Sequence, residues 1–181
     1  MNKTLIYIIV ILIAFVSFNA LFTMNERQQG LVLQFGDPKR VIKTSGLHFK
    51  LPLIQNVVRY DKRILEYDLP IEEVIAVDKK RMLIDSFTRF KITDPLEFYK
   101  TVGSETNVRN RINSNVISSL RRVVGRVTLD ELLSEERSNI MERIKVEVNN
   151  EASRFGIEVV DVRIRRADLP EANSQAIFEL S

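Results

Sequence analysis

From Leu5 to Met24 the chain reads LIYIIVILIAFVSFNALFTM, twenty consecutive positions without a charged side chain. At about 1.5 Å of rise per residue, a helix of that length matches the roughly 30 Å hydrocarbon core of a bilayer. The run is therefore expected to be a transmembrane anchor occupying residues 1–25, with everything after it in water. A cleaved secretory signal would have a shorter apolar region, about 7–15 residues, and a small-x-small cleavage site. Cleavage after Ala20 would place Phe18 three residues upstream, and cleavage after Ala14 would place Leu12 there, so neither site fits. Lys3 and the terminal amine precede the run while Arg27, Lys39 and Arg40 follow it, so the positive-inside count leaves the orientation open.

Composition matters next, because 45% apolar and 28% charged residues describe a chain that folds rather than one that stays disordered. The residues after Met24 suffice for one domain built as two lobes around continuous packing. Gln29–Phe35 alternates Leu31, Leu33 and Phe35 on one side before the turn residues Gly36, Asp37 and Pro38, which predicts a strand. Further strands are expected over Leu47–Leu51 after the Thr44–Gly46 turn, over Asn56–Leu69 as one bent strand or two, over Glu73–Val77, and over Met82–Ile92 after the turn at Asp78–Lys80. Together they read as an antiparallel meander.

At Asp94 the pattern changes class. Asp94 is placed to cap a short helix that starts at Pro95, where the missing N–H costs nothing. Between Thr106 and Val124, Val108, Ile112, Val116, Ile117, Leu120 and Val124 recur at helical spacing and are expected to form one stripe. A second long helix is expected to start near Ser134 and Arg137, to bury Met141, Ile144, Val148, Ala152 and Phe155, and to end at Gly156. Ile157–Arg166 then alternates as a final strand, and Leu169–Pro170 breaks it. The expectation is an α+β fold, with an antiparallel sheet lobe and a helix-rich lobe closed by that strand. Residues 171–181 begin another helix, which at so short a length is marginal unless packed, so a longer parent chain is expected.

The inventory for chemistry is thin: one histidine and no cysteine. His48 sits beside Lys50 in LHFKL with no local carboxylate, so it is expected to be structural. A zinc site needs several His or Cys ligands, and Glu72, Glu73 and Asp78 lack the dense oxygen pattern of a calcium loop, so no metal and no cofactor are expected. The six glycines are isolated, unlike a phosphate-cradling loop, and no Gly-x-Ser-x-Gly elbow is present. A Ser/Lys hydrolase dyad is the remote catalytic alternative. The isoelectric point near 9.2 rests on a net charge of only +3, and Arg109, Arg111, Arg121, Arg122 and Arg126 are expected to form a solvated helix face or a subunit contact, not a nucleic-acid surface.

Four stretches, in order, resemble the band 7 or SPFH family of stomatin, prohibitin, flotillin and the HflK/HflC proteins. They are Glu26–Gly36 (ERQQGLVLQFG), Ser45–Pro52 (SGLHFKLP), Asp78–Pro95 (DKKRMLIDSFTRFKITDP) and Gly156–Pro170 (GIEVVDVRIRRADLP). Ile84–Ser86 and Gly156–Ile164 are most similar to the HflC branch. Ser45 stands where the family's turn usually has proline, which is expected to loosen that turn. The resemblance implies an SPFH domain over residues 26–170 and a non-enzymatic scaffold. That scaffold, with an HflK-like subunit, surrounds and modulates an FtsH-like membrane protease. It further implies a bacterial inner-membrane location, a cytoplasmic N-terminus and an extracytoplasmic domain. Family assemblies use a long coiled-coil helix after the proline, and this chain stops at Ser181, so on its own it is expected to associate weakly. A general organiser of membrane microdomains shares every one of these motifs.

Overall fold

A computed structural model describes Tyr7, residues 18–134 and residues 136–169. Most of the expected membrane span, and the expected helix start over residues 171–181, lie outside the described residues. Among the described residues no helix is long and apolar enough to cross a membrane. They form two compact units, the first ending at Arg63 and the second beginning at Ile64.

The first unit is all strand. Residues 18–20 are helical and run directly into β1 (Leu21–Met24), so the last four residues of the expected span belong to a sheet instead. The reason is an alternation hidden inside an unbroken apolar run: Phe22 and Met24 are buried while Leu21 and Thr23 face out. β1 pairs antiparallel with β4 (Gly46–Phe49), Phe22 opposite His48. A second sheet has the order β3 (Asp37–Ile42), β2 (Gln28–Gln34), β5 (Gln55–Asp61). Phe22, Met24, Val32 and Ile42 form one buried cluster with Val57 against it, which joins the two sheets. Because β2 is central, Leu31, Val32 and Leu33 are all buried, whereas half-burial was the expectation from the alternation. Phe35 leaves that strand altogether and occupies the following turn.

In the second unit, β8 (Arg81–Ile92) is the spine. β9 (Ile157–Asp168) pairs along nearly its whole length on one side, while β6 (Leu65–Asp68) and β7 (Glu72–Ile75) lie end to end along the other. The expected Asn56–Leu69 segment is thus two strands, and they belong to different units. Alternate β8 residues Met82, Ile84, Phe90 and Ile92 are buried. The helices are α1 (Pro95–Thr101), α2 (Glu105–Val124), α3 (Leu129–Leu133) and α4 (Arg137–Ala152). α2 buries Val108, Ile112, Val116, Leu120 and Val124 of the expected stripe and leaves Ile117 half-buried, and α4 buries Ile140, Ile144, Val148 and Ala152 against β9 and α2, while the expected Met141 and Phe155 are only half-buried.

Local chemistry sets these helix ends. Asp94 accepts from the N–H groups of Leu96 and Glu97, as its spacing predicts. Ser134, expected to open α4, instead ends α3: its hydroxyl donates to the Glu131 carbonyl and accepts from the Glu136 N–H. α3 itself starts with a capping box, in which Thr128 accepts from the Glu131 N–H and Glu131 accepts from the Thr128 N–H. Gly156 has φ +70°, and its carbonyl accepts from the N–H groups of Thr93 and Asp94, tying the start of β9 to the start of α1. A Cβ there would lie 2.4 Å from the Asp94 carbonyl oxygen, so only glycine fits.

Candidate functional site: an exposed apolar ledge

The β1–β4 ribbon has two unlike faces. Phe22 and Met24 point into the first unit's core, and the His48 ring lies 5.8 Å from Phe22 while its Nε2–H donates to the Thr44 carbonyl at 2.9 Å. On the opposite face Leu21, Leu47 and Phe49 are exposed. Phe18, just ahead of the ribbon, is exposed too.

Two turn tips extend this surface. Phe35, at φ 53°, is 83% exposed, and Leu53, at φ 70°, is fully exposed. Non-glycine residues rarely adopt positive φ, and when they do they are usually Asn or Asp, whose polar side chains suit a solvated turn. Here the tips carry large apolar side chains. The Phe35 N–H donates to the Ile54 carbonyl at 3.4 Å, which brings the tips together. The second turn is closed by the Gln55 N–H donating to the Leu51 carbonyl, and by Gln55 Oε1 accepting from the Leu51 N–H. Leu51 and Ile54 are exposed with them.

The chain enters the unit beside this ledge: the Lys50 N–H donates to the Ala20 carbonyl at 2.8 Å, setting the end of the apolar run next to Phe49 and Leu51. A cleft of about 350 Å³ opens among Val32, Lys39, Arg40, Phe49, Leu51 and Gln55. Arg40 is pinned at it by donating to the Phe49 carbonyl at 2.5 Å. An apolar ledge with a basic border is a surface made to meet another phase or partner, because single scattered apolar residues need no explanation but a contiguous group does.

The residues that the sequence singled out are occupied elsewhere. Glu72 pairs with Arg121 at 3.1 Å, Glu73 with Arg81 at 3.4 Å and Asp78 with Lys80 at 3.2 Å. No group of three His, Cys, Asp or Glu able to hold a metal occurs among the described residues. The arginines of α2 are dispersed onto separate partners: Arg109 lies over Tyr67, Arg111 over Phe155, and Arg122 pairs with Glu147. Asp61 of the first unit has a displaced titration. Hydrogen bonds from the Arg63 side chain, as short as 2.7 Å, hold its carboxyl below the ordinary value against partial desolvation.

Sequence reasoning searched for catalytic groups and so passed over the ledge. Its signal was present as apolar residues in turn positions, Phe35 just before Gly-Asp-Pro and Leu53 just after Pro52.

Comparison with known proteins agrees with the architecture. The family model described as "SPFH domain / Band 7 family" matches residues 22–180. The chain is similar to Protein HflC of Haemophilus influenzae, 31% identical over 94% of this chain and 62% of that protein. It is likewise similar to Protein HflC of Buchnera aphidicola subsp. Schizaphis graminum, 28% identical over 98% and 65%. A third relative is the "Modulator of FtsH protease HflC" of Escherichia coli K12, 28% identical over 98% and 67%. The chain spans just under two thirds of the length of the first two of these relatives. With the family model covering both units and these relatives aligned over nearly all of this chain, the chain belongs to the SPFH domain / Band 7 family.

Proposed function

We propose that this protein is an HflC-like membrane scaffold subunit that, with an HflK-like partner, modulates an FtsH-like membrane protease and is not itself an enzyme. Its apolar N-terminal run anchors it in the bacterial inner membrane with the N-terminus cytoplasmic and the SPFH domain outside, where longer forms assemble as oligomers. The observation that carries the membrane part is the ledge: Phe35 and Leu53 are presented on turns beside the point where the apolar run enters the fold at Ala20. Transfer of either side chain out of water contributes about 1.5–3 kcal/mol, enough for the two tips to hold the first unit against a bilayer surface that the anchor already brings close. The regulatory part is supported by the printed name of the Escherichia coli relative, a modulator of FtsH protease.

The test is affinity purification of the tagged chain from detergent-solubilised membranes of its native host. HflK and FtsH homologues are expected to co-purify. Recovery of neither, with membrane association intact, would replace this reading with that of a general microdomain organiser.

A further inference from the structure

Resting on the membrane-facing reading of the ledge, we infer that the cleft bordered by Lys39 and Arg40 binds an acidic phospholipid, its acyl chain against Phe49 and Leu51 and its headgroup on the two cations. Four observations converge on that ligand.

The first is the cleft's floor. Gln55 is its one neutral polar side chain, and both ends of that amide are engaged: Oε1 accepts from the Leu51 N–H, and Nε2 donates to Gln34 Oε1 at 3.5 Å. What remains open to a ligand there is hydrocarbon from Val32, Phe49 and Leu51.

The second is the placement of positive charge. Arg40 donates one guanidinium N–H to the Phe49 carbonyl, which fixes the group at the rim and leaves its other donors for an anion. Lys39 pairs with Asp37 at 2.7 Å, but both side chains are about half exposed or more, and a solvated pair of that kind yields readily to a phosphate.

Charge across the whole unit is the third. Residues 18–63 carry eight Lys and Arg against three Asp and Glu, whereas residues 64–169 carry eighteen against nineteen. The excess positive charge sits in the unit that carries the ledge, so a neutral bilayer would satisfy the apolar tips and leave the basic border unmatched.

Fourth, the geometry of entry fits a lipid of the surrounding leaflet. The Lys50 N–H bond to the Ala20 carbonyl sets the cleft at the end of the apolar run, at the depth where headgroup meets acyl chain if that run spans the bilayer.

The chain has no cysteine, so Leu53→Cys provides a single labelling site at a turn tip outside the cleft. The labelled full-length chain is reconstituted into phosphatidylcholine vesicles containing a fixed fraction of lipid with brominated acyl chains. That lipid is either phosphatidylcholine or phosphatidylglycerol, and quenching of the label reports which one gathers at the ledge. Brominated phosphatidylglycerol is expected to quench more strongly than the same fraction of brominated phosphatidylcholine. The excess is expected to fall by up to about fivefold for each cation removed at low ionic strength, in Lys39→Gln and in Arg40→Gln. Lys39→Gln leaves the Arg40–Phe49 hydrogen bond in place, so it tests the site even if Arg40→Gln unfolds. Equal quenching by the two lipids overturns the acidic-lipid site while leaving the membrane-facing ledge standing. Undiminished preference in Lys39→Gln, or in a folded Arg40→Gln, also overturns it. Absence of quenching by either lipid overturns the ledge reading itself, and with it this inference.

Discussion

The two units handle their surfaces in opposite ways. In the second, the solvent face of the sheet is laced with charge pairs: Glu66 with Arg89, Lys91 with Glu158, and Arg165 with Asp68 while lying over Phe87. Its one non-glycine residue at positive φ is Lys79, a charged side chain at a hydrated turn. Exposed apolar residues occur there too, such as Ile71, Ile75 and Val77, but the Glu73–Arg81 and Asp78–Lys80 pairs lie among them. The first unit places Phe35 and Leu53 in the same unfavourable backbone conformation, with the exposed Asp37–Lys39 pair beside the first of them only. Strain that serves only a fold is normally assigned to glycine, as at Gly156, so strain carried by an exposed Phe and Leu signals a requirement outside the fold.

That contrast breaks most sharply at Gly156. Gly156→Ala places a methyl group against the Asp94 carbonyl at positive φ, and is expected to destabilise the chain by about 3 kcal/mol or more in denaturant titration. An unchanged midpoint would mean that the β9–α1 junction is looser than described. Substituting glycine for an apolar tip should do the reverse. Phe35→Gly or Leu53→Gly removes backbone strain and is expected to leave stability unchanged or raised by about 1 kcal/mol, while weakening association of the unit with vesicles. A tip variant that loses stability and keeps vesicle association would erase the distinction between the units.

Smaller effects sharpen it. Arg165→Ala in the second unit is expected to lower the denaturation midpoint only slightly, because Arg165 and its partner Asp68 lie at the solvated surface, and to leave association with vesicles unchanged. The smallest effect concerns acid. Because Arg63 lowers the folded-state value of Asp61, the pair's contribution is fully present above the unfolded carboxylate value near about 3.9, and is lost as pH falls through the lowered value. Asp61→Asn should therefore flatten the acid limb of the stability profile slightly, and should change nothing in its slope near neutral pH.

Where the sequence was legible, a strong period coincided with a clear cap. α2 shows its stripe from Val108 to Val124, α1 shows Asp94 before Pro95, and β8 and β9 show clean alternation. β1 was illegible because Phe22 and Met24 alternate within a run that is apolar at nearly every position, so the period of two carries no contrast. α3 has only five residues, too few for a stripe, although Thr128 and Glu131 spell its capping box. The boundary at Arg63 was hidden because β5 and β6 are both strands, separated by only Lys62, Arg63 and Ile64. Of the ledge, the residues were visible and their exposure was not, since an apolar side chain at the end of a strand ordinarily reads as core.

The pairing of β8 with β9 also sets a timetable. Every pairing of the first unit falls between Leu21 and Asp61, so the ribosome has delivered all of it before β8 is made. Leu83, by contrast, waits for Asp168. At about 5–20 residues per second, the delay is on the order of 4–17 s, during which β8 has only β6 and β7 beside it and an open edge where β9 will lie. The first unit can therefore complete its pairings while its successor is still being synthesised, and on the proposed membrane-anchored reading the nascent second unit then finishes on a chain already tethered, where encounters between unfinished edges of different chains are fewer than in free solution.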